Sequence, residues 1–236
     1  MSTVASTNRL DRSEMTLRTI EPAQHAAAKV AGFLYLFIMA TGVFGESYVR
    51  GQLIAGGDAV QTARNIAASE RLFRLSIASD LITVVGAVIL LWALYVVLRP
   101  INRNLALLAA FLRLAENAIL AVATLNAFAA LRLLSGADYL RAFDTQQLQA
   151  LARLFIGVQG AGMRIAFVFL GLGSTVFSYL WFKSRYIPRG LAALGIFGSL
   201  MLAIGGLAIM VFPSLEDVMT MAYMMPLGIY EVGLGI

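Results

Sequence analysis

Residues 105–131 read LALLAAFLRLAENAILAVATLNAFAAL, and this stretch decides the fold. At 1.5 Å of rise per residue it is long enough to cross a hydrocarbon layer of about 30 Å. Yet it carries Arg113 and Glu116 near its middle. An ionised side chain at bilayer centre costs about 2.5–3.5 kcal/mol on insertion scales, whereas a Leu or Ile returns only about 0.3–0.6 kcal/mol. With both charges toward lipid, the helix would forfeit much of its insertion energy. Arg113, Glu116, Asn117, Leu120 and Thr124 recur at helical spacing, so they share one stripe while the other faces remain Leu and Ala. The stretch predicts a transmembrane helix that turns a polar ridge toward other helices.

Similar apolar runs lie on both sides, at about 30–49, 76–98, 155–182, 190–212 and 221–236. The whole chain is 60% hydrophobic and 13% charged, with a mean hydropathy of +0.81, against roughly 25% charged in soluble domains. A soluble core cannot hide that much apolar surface. The expected fold is all-α, a polytopic transmembrane bundle of about six spans over residues 29–236. The run 221–236 is short for an untilted crossing, so the sequence is expected to stop inside its sixth span. Residues 1–28 form a polar tail of mixed charge, and Pro22 suits the first turn of the helix that enters the membrane. The tail is too long for the n-region of a signal peptide, and no small-residue cleavage site follows the first run.

Basic residues define the expected orientation. Arg9, Arg12, Arg18, Lys29, Arg99, Arg103, Lys183, Arg185 and Arg189 occupy the tail and two tight gaps, whereas Arg50, Arg64, Arg71, Arg74, Arg132, Arg141 and Arg153 are spread over longer loops. Their density places the N-terminus in the cytoplasm. The net charge of +5 at pH 7 thus reads as topology signal and contact with lipid headgroups, not as a nucleic-acid surface. With no cysteine and one histidine, His25, thiolate chemistry, bis-histidine haem and an HExxH zinc site are excluded within one chain. No cofactor is expected.

In the two long loops, Asp58 with Gln61 and Asp144 with Gln147 have the spacing of capping boxes. They open either short amphipathic helices at the outer interface or plain extensions of the second and fourth spans. Arg71-Leu72-Phe73 is echoed by Arg153-Leu154-Phe155, and Leu105-Ala106 by Leu191-Ala192. Two hairpins repeated in one orientation would produce such an echo.

Six ionisable residues fall inside the predicted spans: Glu46, Asp80, Arg113, Glu116, Arg164 and Glu231. They are expected to face the bundle interior or water, with Arg164 and Glu231 near mid-depth and Asp80 and Glu46 nearer the outer surface. Four carboxylates against two arginines leave a surplus of negative charge. At least one carboxylate is therefore expected to exchange a proton near neutrality. The polar pocket or charge network is accordingly assigned to Arg113, Glu116, Asn117, Arg164, Glu231, Asp80 and Glu46, with no catalytic or metal-binding residue. Gly157, Gly160 and Gly162, and the series Gly195, Ser199 and Ala203, permit close helix packing. The glycines before Arg164 equally allow an unwound segment. Gly171-Leu172-Gly173 lacks the strand, third glycine and lysine of a nucleotide loop.

A family resemblance runs through nearly everything from residue 29 onward. It is carried by Ala31-Gly32-Phe33-Leu34-Tyr35-Leu36, Asn65-Ile66, Ser69-Glu70-Arg71-Leu72-Phe73-Arg74, Leu98-Arg99-Pro100-Ile101-Asn102 and Leu107-Leu108-Ala109-Ala110-Phe111-Leu112-Arg113-Leu114. Phe182-Lys183-Ser184-Arg185-Tyr186-Ile187-Pro188-Arg189, Pro226 and Glu231 extend it. These residues resemble the bacterial membrane family filed as domain of unknown function 4386. The resemblance implies a multi-pass protein of the bacterial inner membrane and no activity.

The functional classes left open are three. The first is a bundle with a buried charged pocket, for transport of a small solute, ion or proton or for ligand sensing. The second is a non-catalytic accessory or structural protein whose charges merely pair. The third, a lipid-modifying enzyme, needs two carboxylates converging on one cavity. No Ser or Thr within the runs has a histidine as general base, which speaks against a Ser-His hydrolase.

Overall fold

A computed structural model describes residues 22–236; of the polar tail expected over 1–28, residues 1–21 lie outside the described residues and 22–28 already belong to the first helix. Among these there are helices and turns and no strand. The first helix, α1 (Pro22–Leu53), contains a π-helical segment at Phe44–Arg50. A short helix, α2 (Ala59–Ala68), follows. The remaining helices are α3 (Glu70–Leu98), α4 (Arg103–Leu133), α5 (Thr145–Ser184), α6 (Arg189–Val211) and α7 (Glu216–Gly235). Five of them, α1, α3, α4, α5 and α6, are long and apolar enough to cross a membrane. The sixth long helix, α7, begins five residues before the expected run and carries Pro226 inside it.

Local chemistry sets the boundaries. Asn102 caps α4 by accepting from Leu105 N at 3.0 Å, which satisfies one of the orphan donors of a helix start. Asp58 caps α2 through Gln61 N at 2.9 Å. α5 ends where Arg185 adopts the left-handed conformation, with φ 60°, and its N–H closes on Trp181 O at 3.1 Å. Both proposed capping boxes thus open helices, but with different outcomes. Asp58 starts a separate short helix, whereas Asp144 and Gln147 start a helix that continues unbroken for 40 residues. The second device is an extension of the fourth span.

Each long helix packs against its neighbours in the chain, and α7 returns to pack against α1. The result is a closed ring in the order α1, α3, α4, α5, α6, α7, with α2 lying against α5. The tight turns 99–102 and 185–188 lie at one face, hereafter the N-terminal face, together with the start of α1 and the end of α7. Gly32 there faces the Gly235 backbone, where a Cβ would sit in ordinary contact 3.5 Å from its carbonyl oxygen. At Gly171 a Cβ would lie 2.6 Å from Ala203 N and Ser199 O, so glycine is what lets α5 and α6 touch. This confirms the packing role of Ser199 and Ala203. By contrast, Gly157 and Gly160 have open space beside them.

Large apolar side chains cover the outside of the ring, among them Val85, Trp92, Phe111 and Leu125. Small and polar residues, including Ala109, Arg113, Glu116, Asn117 and Ser178, are buried inside it. Large apolar residues such as Leu94, Phe177 and Leu180 are buried there as well, and an apolar exterior around sheltered ionic groups is what a hydrocarbon surround selects.

Candidate functional site

The interior of the ring holds two separate ionic clusters. In the first, Arg113 and Glu116 project from the buried stripe of α4, with Arg113 Nη1 3.1 Å from Glu116 Oε2. Arg113 also donates to Ser174 Oγ on α5 at 3.4 Å, and its stem occupies a notch at Gly173, where a Cβ would collide with Cγ at 2.7 Å. Asn117 Nδ2 donates to Arg113 O at 2.8 Å. Glu116 is 4% exposed and Asn117 2%, yet Oε2 of Glu116 and Oδ1 of Asn117 have no aligned donor. The unmet demand on this helix is thus for donors or positive charge.

From α7, Tyr230 reaches over Gly195 of α6 to share a 2.8 Å hydrogen bond with Ser178 of α5. A Cβ at Gly195 would lie 2.4 Å from the Tyr230 ring. The next residue, Glu231, is within electrostatic reach of Arg113 and Glu116. It makes no hydrogen bond or ion pair among the described residues. Tyr35 of α1 lies close enough to feel Arg113, Glu116 and Glu231. Four helices therefore meet at one arginine and two carboxylates.

This cluster lies below a cavity of about 280 Å³ that opens at the N-terminal face. Gln24, His25, Tyr35, Leu94, Val97, Trp181, Tyr186 and Leu234 line it. Tyr35 belongs to both cavity and cluster. On α5, Trp181 at the wall is followed inward by Ser178 and then Ser174, positions spaced so as to share a face. On α7, Leu234 at the wall stands three residues from Glu231. The cavity wall and the charges thus share three helices, while Arg113, Glu116 and Glu231 do not themselves line the cavity.

The second cluster lies toward the opposite end of the ring. Arg50, 5% exposed, contacts Glu46 Oε2 at 2.8 Å and clamps Asp80 of α3 through both terminal nitrogens. The Gln159 amide of α5, oriented with its oxygen toward Arg50, accepts from Nη2 at 2.8 Å and Nε at 3.2 Å. The π-helical segment at Phe44–Arg50 carries both Glu46 and Arg50. Gly45 leaves room for Asp80, whose Oδ1 would be 3.2 Å from a Cβ there. π-Helical turns occur mostly at functional or strained places in a helix. Nearby, Thr41 and Thr83 hydroxyls meet at 2.7 Å and Ser79 Oγ donates to Thr41 O at 3.0 Å.

The expected network is therefore divided. Arg113, Glu116 and Asn117 share the buried stripe of α4, and Glu231 of α7 stands with them. Asp80 and Glu46 form a different site around Arg50, which the basic-residue pattern had assigned to an outer loop. Glu46 remains half exposed, at 49%. Arg164 is a correction: it lies outside both clusters, 48% exposed and paired at 2.7 Å with Glu216 at the start of α7. Its depth fails because Arg164 lies beside the turn between α6 and α7, where those two helices end, so position within an apolar run did not measure depth in the ring. The unwound segment beside Arg164 is also absent, since α5 is continuous there. Sequence reasoning missed Arg50, Tyr35, Ser174, Ser178, Gln159 and Tyr230. Arg50 had a signal, standing four residues after Glu46 in an ion-pair spacing.

A family model described as domain of unknown function (DUF4386) matches residues 30–236. The chain belongs to this family. No curated protein and no solved structure matches it. The matched span includes both clusters of this DUF4386 member and most of the cavity wall, Gln24, His25 and Ala28 excepted. Among the described residues no three His, Cys, Asp or Glu side chains are grouped to hold a metal ion.

Proposed function

We propose that this membrane protein binds a small solute in the cavity at its N-terminal face and transports it across the membrane. One observation carries the reading: a cavity entering one end of a closed helical ring shares Tyr35 and three helices with a buried, incompletely paired ionic cluster, while the other end is plugged. The plug consists of the Arg50 network and the apolar residues Val49, Leu53, Ile66 and Phe73. Buried charges are costly in a membrane, and those that line a cavity mark solute or ion pathways. The arrangement corresponds to a carrier open on one side. The density of Lys and Arg at this face supports its lying in the cytoplasm, with the bacterial inner membrane as the site of action.

The outer cluster favours a second, purely structural role for that half of the molecule, because Arg50 is saturated by three partners. The chain has no native cysteine, so single introduced cysteines report access unambiguously. Ala28→Cys and Tyr186→Cys at the cavity mouth should react with a membrane-impermeant maleimide from the cytoplasmic side, and Thr62→Cys at the plugged end from neither side. In proteoliposomes a transported solute should lose its flux on Arg113→Gln. Wild-type flux in this variant, or labelling of Thr62→Cys as fast as Ala28→Cys, would refute the carrier reading.

A further inference from the structure

We infer that the solute is a small organic monocation, an ammonium carried on an apolar or aromatic body. The inference rests on the cavity reading above and adds the charge of its occupant. The cluster sets one guanidinium, Arg113, against two carboxyl groups, Glu116 and Glu231. Arg113 is already held by Glu116 and Ser174, so it is poorly placed to receive an anion. Glu231 has no ion-pairing partner among the described residues, and it stands one helical turn from the cavity wall at Leu234. The two buried atoms of α4 without a hydrogen bond, Asn117 Oδ1 and Glu116 Oε2, the latter in ionic contact with Arg113, are both acceptors. Within the cluster these acceptors suit a cation, whereas the unpartnered buried atom on the cavity wall, Trp181 Nε1, is a donor.

The walls match. Tyr35 and Trp181 lie between the mouth and the carboxylates, and Tyr186 lies beside Trp181 with ring centroids 6.3 Å apart. Aromatic faces attract organic cations, by about 0.5–2 kcal/mol per contact as the site becomes drier. Leu94 and Val97 accommodate the apolar body. The basic residues of the same face, Lys183, Arg185 and Arg189, are exposed to solvent, where salt screens them within about 10 Å. A volume of about 280 Å³ limits the occupant to a small molecule.

The test uses the full chain in phosphatidylglycerol nanodiscs, which contribute no ammonium group. Trp92→Phe removes the lipid-facing indole and leaves Trp181 as the reporter of occupancy. Probes are quaternary ammonium ions from tetramethylammonium to benzyltrimethylammonium, an uncharged isostere of each with carbon in place of nitrogen, and a carboxylate of matching size. Saturable change in Trp181 emission is expected with the ammonium ions, about tenfold tighter than with the isosteres and absent with the carboxylate. Glu231→Gln should erase that preference and Glu231→Asp should retain part of it, with thermal unfolding midpoints showing that both variants remain folded. Isosteres binding as tightly as ammonium ions would show that the surplus carboxylate merely holds a proton. That result, or preference for the carboxylate, overturns the cation assignment and leaves the cavity reading intact. If no probe of any charge binds, the cation assignment falls and the cavity reading loses its main support. Repeating the titration in phosphatidylcholine identifies the source of the ammonium: loss of free-ion binding there indicates a lipid headgroup as occupant, and unchanged binding indicates a soluble cation.

Discussion

The two ionic clusters of the ring have the same composition, one arginine and two carboxylates, and opposite arrangements. At the plugged end, Arg50 touches both of its acids and a glutamine, and one acid, Glu46, reaches the surface. At the cavity end, Arg113 contacts one acid and leaves Glu231 without a partner. Identical charge counts thus yield a clamp in one place and an unsaturated site in the other. The difference teaches that the number of intramembrane charges says little about function; what matters is how completely geometry allows them to pair.

Breaking the clamp should have the largest effect. Arg50→Met strands the mostly buried Asp80 and should cost about 3–5 kcal/mol of stability, read as a lowered unfolding midpoint in mild detergent. Adding Asp80→Leu should restore much of it. A loss below about 1 kcal/mol would mean that the outer cluster is no clamp.

Next come the notches. Gly173→Ala drives a methyl into the Arg113 stem, and Gly195→Ala drives one into the Tyr230 ring. Each should cost about 1–3 kcal/mol through overpacking. Gly160→Ala, with open space around it, should instead stabilise α5 by about 0.5–1 kcal/mol through helix propensity. Equal signs at all three positions would remove the distinction between the site-forming glycines and the others.

Smaller still is the expected stability change for Glu231→Gln, within about 1 kcal/mol in either direction, because no ion pair is broken. Denaturant unfolding paired with the binding titration would show a large functional effect beside this small structural one. A destabilisation as great as that of Arg50→Met would make the two clusters alike. The smallest effect belongs to Arg164→Gln, at about 0–1 kcal/mol, since its pair with Glu216 is half exposed and screened.

Much of this was legible along the chain. Five of the six expected membrane-crossing runs and the two tight basic gaps follow from hydropathy and charge, which depend on neighbours within a few residues. The inward ridge of Arg113, Glu116, Asn117 and Thr124 follows from helical spacing. Both are local, additive properties, so a sequence states them directly.

Partners across the ring are not local. Tyr35, Ser178 and Tyr230 are unremarkable in their own helices and become part of a site because four helices are rotated to face one another at one depth. Arg50 moved from an assigned loop into the interior, and Arg164 from an assigned interior to the rim, because depth depends on how far each helix extends past its neighbours. The sequence by itself determined that a few ionic groups must find shelter from hydrocarbon. The tertiary structure alone decided which acid each arginine holds, since pairing over a few ångströms depends on axial register and rotation, to which hydropathy is blind.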